Sequence, residues 1–119
     1  MNGLLGLGKY LFAIPFAVFG IMHLMSASEM AAMAPFGGEI IVYITGIAHI
    51  AAAVSILIGK WDKLATTLLG VMLLLFIIPH AQALSENPME MGNILKNIAL
   101  AGGAWMYALH VSKDKSVID

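Results

Sequence analysis

Residues 39–60 read EIIVYITGIAHIAAAVSILIGK, an apolar run closed by a glutamate at one end and a lysine at the other. A helix rises about 1.5 Å per residue, so about 20 apolar residues cross the roughly 30 Å hydrocarbon layer of a bilayer. The stretch between Glu39 and Lys60 has that length. Its apolar residues are continuous rather than alternating, which favours a membrane helix over a barrel strand.

The same pattern repeats on both sides. One apolar run lies between Lys9 and Glu29, another between Lys63 and Glu86, and a fourth between Glu90 and Lys113 with Lys96 just inside its start. Spans are therefore expected at about 10–28, 39–59, 63–84 and 92–111. The connections fit. Ala34-Pro35-Phe36-Gly37-Gly38 breaks the chain after the first span. Gly59-Lys60-Trp61-Asp62 is short enough to make spans two and three a tight antiparallel hairpin. Ser85-Glu86-Asn87-Pro88 closes span three, and Asn93 is a candidate cap for span four. The expected fold is all-α, a single domain built as an antiparallel bundle of four transmembrane helices.

Composition agrees. Of 119 residues, 61% are apolar and 11% charged, with a mean hydropathy of +0.91. Six Lys and seven Asp or Glu cannot coat an aqueous surface, so lipid is the expected solvent for most of the exterior. There is no basic excess for nucleic acid and no disordered tract. Cysteine is absent, which removes disulfides, thiolate metal sites and cysteine nucleophiles.

The charges also orient the chain. Lys9, Lys60, Lys63, Lys113 and Lys115 fall on one side of the four spans. Glu29, Glu39, Glu86 and Glu90 fall on the other, with Lys96. The positive-inside rule then puts both termini in the cytoplasm. Tyr10, Trp61, Trp105 and Tyr107 form a cytoplasmic-side belt, with Tyr43 towards the outer side. Ser26-Ala27-Ser28 has the small-residue look of a signal cleavage site. The region before the first apolar run carries only Lys9, so an uncleaved helix is expected.

Small residues mark the faces along which helices meet in lipid. Ala13, Ala17 and Gly20 form one stripe, with His23 a turn beyond. Thr45, Gly46, His49, Ala52 and Ala53 share a face, as do Thr66 and Gly70 on the side leading to His80. In span four Lys96, Ala99, Gly103, Tyr107 and His110 are expected to share a face, with Trp105 pointing the opposite way. Pro15 and Pro79 free the carbonyls of Leu11 and Leu75, and Pro79 stands beside His80. Gly3, Gly6 and Gly8 lack the strand and βαβ unit of a dinucleotide loop. The methionines read as flexible filler.

The histidines form a constellation. His23 and His80 each precede a boundary glutamate by six residues, which places both roughly 9 Å inside the outer interface. His49 lies ten residues beyond Glu39, roughly 15 Å down. Lys96, Asn93 and Asn97 enter from span four at the same end. Three chemical uses are open. His23 and His80 have the depth of axial ligands to a haem b. His23, His49 and His80, with Glu39, have the ligand chemistry for Zn or Cu. Neutral imidazoles also hydrogen-bond a quinone or relay protons. The plainer alternative is that each His caps a nearby carbonyl. His110, three residues before Lys113, is expected to reach the cytoplasmic interface.

Phe19-Gly20-Ile21-Met22-His23-Leu24, Thr45-Gly46-Ile47-Ala48-His49 with Leu57-Ile58-Gly59, and Lys96-Asn97-Ile98-Ala99 with Gly102-Gly103 resemble the helix motifs of DoxX-like membrane proteins over nearly the whole chain. The resemblance implies a four-helix protein of the bacterial inner membrane. It implies an accessory in quinone-linked or respiratory redox chemistry rather than an enzyme on its own, since the family is named for a small subunit linked to thiosulfate:quinone oxidoreduction. His49 stands about where many relatives carry a glutamate. Relatives that act on disulfides use cysteine pairs, which this chain lacks. The ligand-contacting residues expected on this reading are His23, His49, His80 and Lys96. A non-catalytic subunit packed against other membrane proteins, or against copies of itself, is the alternative. A channel is disfavoured, because Lys96 alone is charged within a span and no acidic residue lies deep.

Overall fold

The computed structural model describes residues 2–33, 37–114, 116 and 118, and all of its regular elements are helical. Ala34, Pro35 and Phe36 of the expected break and Lys115 of the charge pattern lie outside the described residues. A short turn of helix, Asn2–Leu5, precedes α1 (Gly8–Met25), and two single turns, Ala27–Met30 and Ala31–Met33, follow it. Then come α2 (Gly38–Ile58), α3 (Asp62–Leu75), α4 (Ile77–Ala83) and α5 (Glu90–Met106). The last runs into a wider π-type turn at Tyr107–Val111.

Three helical stretches are long and apolar enough to cross a membrane: Gly3–Met25, Gly38–Ile58 and Asp62–Ala83. α5 has 17 residues and carries Glu90 and Lys96. Large apolar side chains cover the exterior, among them Leu11, Ile40 and Ile58, each more than 60% exposed.

α2 ends where the sequence supplies a residue tolerant of positive φ. Gly59 adopts φ +71° and returns its N–H to the Ser55 carbonyl at 2.9 Å. Trp61 also has a positive φ, +56°, unusual for a side chain of that size. The Asp114 carboxylate accepts its N–H at 2.8 Å and holds the turn. The region Asp62–Ala83 is interrupted at Phe76, three residues before Pro79, where the missing N–H leaves the Leu75 carbonyl without its helical donor. Pro15, by contrast, sits within an unbroken α1.

α1 packs against α2 and α3 against α5, and contact between α2 and α3 joins the two pairs. α5 runs antiparallel to the Asp62–Ala83 stretch: Tyr107 meets Asp62, Trp105 meets Gly70 and Glu90 meets His80. The core holds Phe16, Ala53, Ile56, Leu69, Leu73 and Ala104. Hydroxyls inside it bond back to their own helices, Thr45 to Ile41, Thr66 to Asp62 and Thr67 to Lys63, which satisfies them without water.

Three expectations need correcting here. The buried face of α5 is Asn97, Ala101 and Ala104, continued by Tyr107 and Ala108, while Lys96, Ala99 and His110 are exposed. Trp105 points towards α3, not away: its indole N–H donates to the Thr67 carbonyl at 3.1 Å and the ring covers Gly70. Asn93 does not cap α5, which begins at Glu90. It lies inside the helix and donates to the Glu90 carboxylate at 3.2 Å.

Candidate functional site

The site begins with two glycines. A Cβ on Gly20 would lie 2.6 Å from the Gly46 carbonyl oxygen, and a Cβ on Gly46 would lie 2.6 Å from the His23 Cβ. Neither fits, so only glycine at both positions allows α1 and α2 to touch backbone to backbone. That contact lays His23 over His49, with ring centroids 4.9 Å apart. Phe76, at the break between α3 and α4, stacks on both, 6.4 Å from His23 and 5.8 Å from His49. Phe16 and Phe19 close the other sides of His49 at 5.9 and 6.3 Å.

Both imidazoles bond within their own helices. His23 Nδ1–H donates to the Phe19 carbonyl and His49 Nδ1–H to the Thr45 carbonyl, each at 2.7 Å. A carbonyl only accepts, so the ring proton sits on Nδ1 and Nε2 is left as a lone pair. The carbonyl-capping alternative thus holds for these two rings, but on α1 and α2 themselves rather than on a carbonyl freed by proline.

His80 has a different partner. Its Nδ1–H donates to the Glu90 carboxylate at 2.5 Å, linking α4 to α5. Asn93's amide and His80 thus converge on the one Glu90 carboxylate. Glu90 is a missed member of the cluster. The sequence marks it as a boundary charge, and only the antiparallel pairing of α5 turns it inward.

His23, His49, His80 and Lys96 line one pocket of about 270 Å³, together with Asn97 and Phe76. His49 is 2% exposed and Asn97 3%, so the polar wall is deeply set. Lys96 lies at the mouth, its ammonium 5.4 Å from the centre of the Phe19 ring. The four residues singled out from sequence are therefore neighbours.

The metal arrangement of three histidines with Glu39 is not formed. Among the described residues, no group of three or more His, Cys, Asp or Glu is placed to hold a metal ion. Glu39 is exposed at the start of α2, away from this pocket.

A second buried polar centre lies at the opposite end of α3. Asp62 is fully buried and accepts from the Tyr107 hydroxyl at 2.8 Å and from the N–H groups of Lys113 and Asp114 at 2.9 Å. Tyr107 is thus a core residue, not part of an interface belt. Its tie to Asp62 spans 45 residues, and no local pattern announces it. Compared with family models, with curated proteins and with solved structures, the chain finds no match.

Proposed function

We propose that this chain is a DoxX-like integral membrane protein, an accessory in quinone-linked or respiratory redox chemistry, whose pocket binds a lipid-soluble ring of the quinone class. It crosses the bacterial inner membrane four times as an antiparallel bundle, with both termini cytoplasmic. α5 and its terminal turn supply the fourth span. The longest dimension, 43 Å, suits a bilayer of about 40–45 Å including headgroups. The division of Lys from Glu between the two ends supports the orientation.

The observation that carries the reading is the pocket's composition. Phe19, Phe76, Met22 and Leu100 give apolar walls for a flat ring, and His23, His49, Asn97 and Lys96 give polar contacts for its oxygens.

The test is a titration in lipid nanodiscs with a decyl-tailed benzoquinone in its oxidised and its reduced forms. One saturable site per chain is expected. Changing His23, His49 and His80 together to Ala removes three contacts worth about 1 kcal/mol each, so the affinity of the form that makes them falls about a hundredfold. No saturable binding, or unchanged affinity in the triple variant, contradicts the reading.

One feature favours a second reading, a non-catalytic subunit of a larger assembly. A groove of about 390 Å³ between α2 and α3 is lined by Ala48, Ala51, Ala52, Ala65 and Leu68 and opens outward. Small residues of this kind admit a partner helix.

A further inference from the structure

We infer that the pocket selects the reduced form of its ligand: it takes a hydroquinone in preference to the quinone, an inference that rests on the binding role proposed above. The ground is the direction of its hydrogen bonds. His23 and His49 each spend their single ring N–H on a helix carbonyl. Among the described residues neither ring has a carboxylate partner, and with Nδ1–H on a carbonyl the imidazole tautomer presents Nε2 as its acceptor. Among the described residues, no fully buried side-chain nitrogen or oxygen lacks a hydrogen-bond partner. The Nε2 atoms make no bond to the described chain, so they front accessible space, and the space these rings line is the pocket.

A quinone carbonyl also only accepts. Against two imidazole lone pairs it leaves all three groups unsatisfied, in a setting where water is scarce. A hydroquinone hydroxyl donates to Nε2 and still accepts. The remaining polar groups do not reverse this. Asn97 offers one amide donor and one acceptor, and Lys96 offers donors at the mouth. Either redox form uses those donors, but only the hydroquinone uses His23 and His49. His80 has its Nδ1–H committed to the Glu90 carboxylate.

The test compares both redox forms of the same decyl-tailed benzoquinone in nanodiscs, anaerobically, by equilibrium titration. Hydroquinone is expected to bind at least tenfold more tightly. That raises the midpoint potential of the bound couple by about 30 mV for each tenfold. His49→Gln and His23→Gln place an amide, which both donates and accepts, so each narrows the ratio towards one while binding survives. Equal or tighter binding of the quinone overturns this inference alone, as does a ratio unchanged in both glutamine variants. Failure of both forms to bind overturns the proposed function and this inference with it.

Discussion

Asp62→Ala is expected to lower stability by about 3 kcal/mol and the thermal midpoint in detergent by about 10 °C. The carboxylate is fully buried and accepts from the Tyr107 hydroxyl and from the backbone N–H groups of Lys113 and Asp114. Alanine removes every acceptor at once. The buried Tyr107 hydroxyl is then stranded, and the segment after the π-type turn loses its anchor. Asp114, which accepts the Trp61 N–H, loses its own hold on the left-handed turn between α2 and α3. Tyr107→Phe removes a single donor and is expected to cost about 1 kcal/mol. Circular dichroism melts of the two variants, compared with the unchanged protein, check the order. Equal effects from both would mean that the backbone contacts of Asp62 contribute nothing.

Gly46→Ala is expected to cost about 2 kcal/mol and to separate the two stacked histidines. The new Cβ meets the His23 Cβ and, at 3.1 Å, the Gly20 carbonyl oxygen. The latter is backbone and cannot rotate away, so α1 must shift. Ligand affinity falls with it, because His23 and His49 share the pocket wall across this contact. Gly102→Ala is the control. It lies within α5 with nothing within 4 Å of its Cβ, so alanine there gains helix propensity of about 0.5–1 kcal/mol. Melts and ligand titrations of both variants should move in opposite directions for stability. A neutral Gly46→Ala would show that the helices do not meet as described.

Much of this was legible in the sequence. The charge-bracketed run 39–60 gave α2 nearly residue for residue, as Gly38–Ile58, because a glutamate and a glycine mark its ends. Pro79 foretold a break near His80, and depth counting put His23, His49, His80 and Lys96 in the same half of the spans, where they line one pocket. The rotation of α5 was not legible. In a chain bathed in lipid, outward and inward faces are both apolar, so composition does not separate Ala99, exposed, from Ala101, buried. Trp105 and Tyr107 have the residue type of an aromatic belt, but each finds a partner on α3 instead. Asp62 looks like a turn residue and Glu90 like a boundary charge, because their partners, Tyr107 and His80, come from other helices. Hydrogen-bond direction was equally hidden: which imidazole nitrogen faces the pocket depends on the carbonyl a turn behind it.

The location of the ligand is tested most directly by photo-crosslinking. An azido-substituted, decyl-tailed benzoquinone is irradiated with the protein in nanodiscs, and the adducts are mapped by mass spectrometry. Adducts are predicted within residues 19–23, 76–80 and 96–100, and excess unlabelled quinone should suppress them. Adducts spread over the outward side chains, such as Leu11, Ile40 and Leu68, and indifferent to competition, would contradict a quinone site at the histidine cluster.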